Sequence, residues 1–119
     1  MINKKHSQTA IEQKLAQTLE RTKQRFIVDL NHKIAEIETI QILIQNETER
    51  QNALARLAFI THRFSGIAAT LGLQSIGDCA AEIEQQIASF IQTPTQLSIL
   101  SGRIEKLLDL MEDAIVKAL

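Results

Sequence analysis

Apolar residues recur along this chain at alternating steps of three and four, the spacing that gathers side chains on one face of an α-helix. The clearest run is the last: Leu97, Leu100, Ile104, Leu107, Met111, Ala114 and Ala118. Its start is signed too, with Thr93 as N-cap, Pro94 at the first helical position and Gln96 completing a capping box. Before it, Ile76, Cys79, Ile83, Ile87 and Phe90 form a second stripe. Ser75 is its expected cap, with Asp78 three residues on, near the positive end of the helix dipole. A third stripe comprises Leu54, Leu57, Thr61, Phe64, Ala68 and Leu71, with Asn46 and Glu49 as capping box and Gly72 as stop. The connection from Gly72 to Ser75 is so short that these two helices must be antiparallel neighbours.

The first 45 residues hold Ile11, Leu15, Leu19, Phe26, Leu30, Ile34, Ile37 and Leu43, with no breaker between them. Thr9 and Glu12 form a capping box at the front. The pattern fits one long helix or a short one followed by a long one, and a bend is expected within 20–25. The sum is an all-α fold. It predicts an antiparallel up-down four-helix bundle over 23–119 with an additional N-terminal helical segment over 1–22, in a single domain.

Composition sharpens this picture. Four glycines and one proline, none before Gly66, are too few turns for a sheet protein of 119 residues. The 13 Lys+Arg against 14 Asp+Glu leave no basic excess to grip a phosphate backbone, and Phe26, Phe59, Phe64 and Phe90 are the only aromatics. Nucleic acid is therefore not an expected partner. Cys79 is a lone cysteine and cannot form an internal disulfide, which fits a reducing compartment. No apolar run approaches the ~20 residues of a membrane span. The opening MINKKHSQTA lacks the apolar stretch of a secretory signal. A cytoplasmic location is the expectation.

The third helix breaks its own rules. Gly66 lies mid-helix, where glycine costs about 1 kcal/mol relative to alanine and usually has a packing or functional reason. One turn before it stands His62, whose helical neighbours Ala58, Ser65, Gly66 and Ala69 are all small. Such a clearing lets another protein's surface come close to the imidazole. It also suits in-line displacement at a ring nitrogen, where attacking atom, phosphorus and leaving oxygen must line up. A histidine at the edge of an apolar face is, however, most often a packed or hydrogen-bonded residue. Small neighbours also let two helices approach closely, and spacing alone does not separate the readings.

The stretch from His62 through Arg63, Phe64, Ser65, Gly66, Ile67, Ala68, Ala69, Thr70, Leu71 and Gly72 to Leu73, continuing through Ile76, Cys79, Ala80, Ile83 and Glu84, resembles the histidine-containing phosphotransfer (Hpt) domain family. The family pattern is a histidine, a large apolar residue two on, and glycines four and ten on. A small or cysteine residue and then Leu/Ile-Glu follow on the next helix. Arg25 and Phe26 through Ile37, and Leu54 through Ala58, resemble the family's second helix and the approach to its histidine, so the likeness spans roughly 20–92. The resemblance implies a four-helix bundle whose exposed histidine shuttles a phosphoryl group between receiver domains of response regulators. It further implies no intrinsic kinase activity, and Mg²⁺ on the receiver rather than on this chain, which itself needs no cofactor or metal.

One position departs from the family. Three residues after the histidine, where lysine is common, stands Ser65. A lysine would offset the phosphoryl charge, whereas a serine offers one hydroxyl donor, which puts the stability of a phosphohistidine in question. Arg63 points about 100° away around the helix. It either reaches back toward the phosphate or is a solvated surface arginine, and the second reading is preferred. If the hairpin turns at 72–75, residues near 84–86 lie alongside His62. Glu84 falls where some family members bond the histidine. A carboxylate on Nδ1–H would leave Nε2 as the outward nucleophile. Gln85 or Gln86 would serve similarly, and Glu84 reads equally as an ordinary surface acid.

Other chemistries fall away. Asp29 and His32 form a single weak Glu-x-x-His-like pair, no di-metal site. Cys79 lies on the apolar stripe and reads as core, while His6 and His32 lie on polar stretches. No Gly-rich phosphate loop, zinc spacing or nucleophile elbow occurs.

The reading is a stand-alone phosphocarrier with His62 as phosphoacceptor and Glu84 as its orienter. Phe59, Arg63, Ser65, Gly66 and Ala69 form the contact surface for response-regulator receiver domains, and a hybrid sensor kinase is a further candidate partner. A rival reading is a helical docking module that binds a receiver or kinase without accepting phosphate. A third is a dimerisation bundle offering Ile11, Leu15 and Leu19 to a second copy, although a monomer is expected.

Overall fold

The computed structural model describes the backbone of residues 4–119 and the side chains of 8–119. Four helices follow one another: α1 (Lys4–Ile44), α2 (Arg50–Thr70), α3 (Gln74–Ala88) and α4 (Pro94–Ala118). α1 packs against α2 and α4, and α3 against α2 and α4. The chain is an all-α, antiparallel up-down four-helix bundle.

α1 has 41 residues, none of them glycine or proline, and many are the straight-chain types that lose least in a helix. It runs unbroken through 20–25, so the expected bend does not interrupt it. Thr18 and Thr22 donate their hydroxyls to the carbonyls four residues back, at 2.9 Å each, and ride on the helix rather than ending it. Thr9 and Glu12 are not its capping box, because the helix has already begun at Lys4. At 1.5 Å per residue α1 spans about 60 Å. The molecule is therefore 69 Å long and only 29 by 19 Å across. The N-terminal segment is no separate element but an overhang of α1, with residues 8–22 exposed.

Most of the predicted core is buried, including Leu30, Ile37, Leu57, Thr61, Ile83, Leu100, Ile104, Leu107 and Met111. Leu43 and Ala118 are corrections, since both are exposed. Six residues beyond Ile37, Leu43 is turned about 120° off the buried face, which continues through Ile40 and Ile44.

The turns position the helices. Asn46 Oδ1 accepts from the backbone N–H of Thr48 at 2.9 Å and of Glu49 at 3.4 Å. This forms an Asx turn, and α2 starts only at Arg50, so the expected capping box is not made. Arg50 is buried; its Nε donates to the Ile44 carbonyl at 2.7 Å and its Nη1 to Gln92 Oε1 at 3.0 Å. One guanidinium thus ties the end of α1 to the approach to α4.

α2 ends in a Schellman turn, with Leu73 N–H bonded to the Ala68 carbonyl at 2.8 Å and Gly72 N–H to that of Ala69 at 3.3 Å. Gly72 stands at φ +77°, where a side chain is disfavoured. α3 therefore starts at Gln74 with Leu73 at the N-cap, and Ser75 lies inside the helix rather than capping it. The α4 start matches expectation: Thr93 accepts from Gln96 N–H at 3.2 Å and Pro94 opens the helix.

Candidate functional site

The α2–α3 hairpin builds the site. At Gly77 a Cβ would lie 3.4 Å from the Ser65 carbonyl oxygen and 3.5 Å from the Ala69 nitrogen, so the two helices approach backbone to backbone. Glu84, two turns further along α3, is thereby carried beside His62.

The His62 side chain is 75% exposed, and its Nδ1 stands 2.9 Å from Glu84 Oε1. A carboxylate accepts, so the ring donates from Nδ1 and its lone pair rests on Nε2. Among the described residues Nε2 has no hydrogen-bond partner. The imidazole is thus held in one tautomer with its basic nitrogen toward solvent. Gln86 does not share this place: it is buried, donates to the Gln96 carbonyl at 3.0 Å and accepts from Arg103 Nη1 at 2.7 Å.

The small residues around His62 do not serve helix packing alike. A Cβ on Gly66 would meet nothing within 4 Å among the described residues, so its lack of side chain keeps solvent space open next to the imidazole. Close packing is the work of Gly77, which sequence reasoning did not single out; its one available signal was a glycine inside the α3 stripe. Ser65 Oγ donates to the His62 carbonyl at 2.8 Å, which turns the hydroxyl back onto the helix. Ala69 is exposed one turn on.

Phe59 is exposed and carries the Arg63 guanidinium over its ring, 5.7 Å from the centroid, with that of Arg56 at 5.9 Å. Arg63 therefore stacks on Phe59, on the surface, as preferred from the sequence. Arg56 Nε also donates to Glu36 Oε1 at 2.7 Å, and Lys33 Nζ lies 3.3 Å from Glu36 Oε2. Burial pushes the Glu36 carboxyl up, but the bonds from Arg56 and Lys33 outweigh it and hold it below the usual range.

Cys79 is buried, with Sγ 3.6 Å from the Arg103 carbonyl, and burial pushes its thiol up. It is core, as expected. His32 and Asp29 are exposed, while the side chain of His6 lies outside the described residues. Among the described residues, no cluster of three or more His, Cys, Asp or Glu is placed to hold a metal ion. No helix there is long and apolar enough to cross a membrane.

The arrangement presents one oriented nucleophilic nitrogen on a rigid helix, flanked by open surface. No curated protein and no solved structure matches the chain. The family model of the Hpt domain matches residues 8–115, reaching beyond the stretch that carries the resemblance into both the overhang of α1 and α4. With nearly its whole length matched, the chain belongs to the Hpt domain family.

Proposed function

We propose that this chain is a phosphorelay carrier in which His62 takes a phosphoryl group from a receiver-domain aspartate and returns it to another. Hpt domains are phosphocarriers of two-component signalling that work with receiver domains, rather than enzymes. The observation that carries the reading is the exposed His62 with Nδ1 held by Glu84 and Nε2 open beside Gly66.

In the transfer, the Nε2 lone pair attacks phosphorus opposite the aspartyl oxygen. The N–P bond forms as the P–O bond breaks, and the electron pair leaves with the receiver's carboxylate. The ring becomes an imidazolium, its proton still on Nδ1 facing the Glu84 carboxylate. Glu84 thus acts as a positioning residue that stabilises the charge developing on the ring. Donation is the same step reversed. Phe59, Arg63, Ser65, Gly66 and Ala69, on the same helix as His62, form the receiver's seat in this reading; Mg²⁺ belongs to the receiver, and a hybrid sensor kinase is a further partner. The carrier acts as a monomer in the cytoplasm, in keeping with its lone cysteine.

A second reading is a docking module that binds a receiver or kinase without taking phosphate. Ser65 favours it, because its hydroxyl is turned onto the His62 carbonyl and supplies no cation for a phosphoryl group. The test is transfer from a panel of phosphorylated receivers to the wild type and to a His62→Gln variant of matching helicity. The carrier shows an acid-labile, alkali-stable label that the variant lacks. Tight binding to one receiver with no label from any establishes the docking module instead.

A further inference from the structure

Arg63 is exposed and follows the phosphoacceptor directly in sequence. With His62, Gly66 and Ile67 it lines an open groove whose other wall holds Leu19 and Thr22 of α1. Among the described residues no other Lys or Arg lines that groove, and Arg63 pairs with no carboxylate. Its guanidinium rests instead on the Phe59 ring, which it shares with that of Arg56. Two like charges on one ring repel each other, and they are not held alike. Arg56 is tied to Glu36 through Nε at 2.7 Å and again through Nη2. Arg63 has the ring alone. A stack on an exposed ring is a weak hold, so of the two guanidiniums Arg63 is the one free to leave.

Helical period puts Phe59 between the two residues. One turn before them, it lies about 60° around the axis from His62 and about 40°, on its other side, from Arg63. An Arg63 side chain folded over Phe59 is therefore already turned toward the histidine. The transfer changes what it faces. A phosphoryl group brings about two negative charges, while the ring, keeping its Nδ1 proton, gains one positive. The site becomes more negative, beside a Glu84 carboxylate that is already there. Ser65 has no charge to offer, and its hydroxyl is spent on the His62 carbonyl. Accepting the carrier reading, we infer that Arg63 is the phosphoryl-binding residue of this chain: its guanidinium stacks on Phe59 while Nε2 is free and swings onto the phosphoryl oxygens once the N–P bond has formed. Its fork of N–H donors matches two of those oxygens. Arg56, tied to Glu36, stays on Phe59. Loaded and empty carriers then present different faces at that ring.

The test loads His62 with phosphoramidate, a small phosphoryl donor that needs no receiver, and follows loss of the label once the donor is removed. Arg63→Ala, checked for helicity, should shorten the half-life about two- to fivefold, the scale of one exposed ion pair. The difference should shrink at about 1 M salt. Arg63→Lys keeps the charge without the fork and should fall between. Ser65→Lys in the Arg63→Ala background should restore the half-life. On loading, the Arg63 Nε–H resonance should shift in the wild type and stay in place in a His62→Gln variant exposed to the same donor. An unchanged half-life in Arg63→Ala, or an Arg63 resonance that does not move on loading, overturns the inference and leaves the carrier reading standing. Label from phosphoramidate but from no phosphorylated receiver refutes the carrier reading, while the half-lives still decide the role of Arg63. A His62 that takes no label from either source refutes both.

Discussion

Glu84 of α3 stands 2.9 Å from Nδ1 of His62 on α2, across 22 residues of sequence. The contact chooses the tautomer of a side chain that is otherwise surrounded by water. Glu84→Ala should lower the phosphotransfer rate constant about 10- to 100-fold, the usual scale for losing a partner that orients a reactive imidazole. Glu84→Gln keeps an acceptor without the charge and should fall between. Because the pair is exposed, the unfolding free energy read from urea denaturation should move by no more than about 1 kcal/mol. Rapid-quench transfer and denaturation curves on the same variants separate the two effects.

Gly66 and Ser65 make a second pair of tests. Gly66→Ala fills open space and removes a helix-interior glycine, so it should stabilise the protein by up to about 1 kcal/mol, read as a higher Tm. Gly66→Leu should instead slow transfer by crowding Nε2. Ser65→Lys brings a cation to the turn after His62 and should lengthen the lifetime of the phosphohistidine several-fold. Ser65→Ala, which loses only a hydroxyl already turned onto the helix, should leave that lifetime as it is.

Arg50 is buried between the end of α1 and the approach to α4. Arg50→Ala leaves the Ile44 carbonyl and the Gln92 amide without their partner and should cost about 2–4 kcal/mol in urea denaturation. Transfer by the folded fraction should persist, since His62 lies more than three turns further along α2.

The Glu36 cluster gives a pH dependence. Arg56 and Lys33 hold its pKa below the ordinary 4.5, so the folded state binds fewer protons than the unfolded one through that range. The resulting stability is present above the ordinary value and is lost as pH falls through the lowered one. Wild type should exceed Glu36→Gln in stability near neutrality by up to about 1 kcal/mol, and the gap should close as the pH falls below the ordinary 4.5 and through the lowered value. Thermal melts of both proteins across that span measure it.

Contiguous residues were enough to read the stripes of α2, α3 and α4, the stop at Gly72, the start at Thr93 and Pro94, and His62 in its cleared patch. Periodicity, capping and glycine placement act within a turn or two of chain, so the sequence displays them directly. Local signals failed where a neighbour competed. Ser75 lost the N-cap of α3 to the Schellman turn at Gly72, and Asn46 closed a turn of its own instead of capping α2. Leu43 lost the core to Ile44 because burial on a 41-residue helix follows the faces of α2 and α4.

The choice of Glu84 over Gln85 and Gln86 belonged to the tertiary structure. So did the burial of Arg50 and the groove between Leu19 and Ile67. Each depends on the axial register of one helix against another, and close backbone contact at Gly77 sets that register for α3 on α2. The sequence by itself determined which faces are apolar and singled out His62 as the candidate nucleophile. Packing decided which acid meets that nucleophile and what surface surrounds it, because helical period specifies directions around an axis but not the heights at which two axes meet.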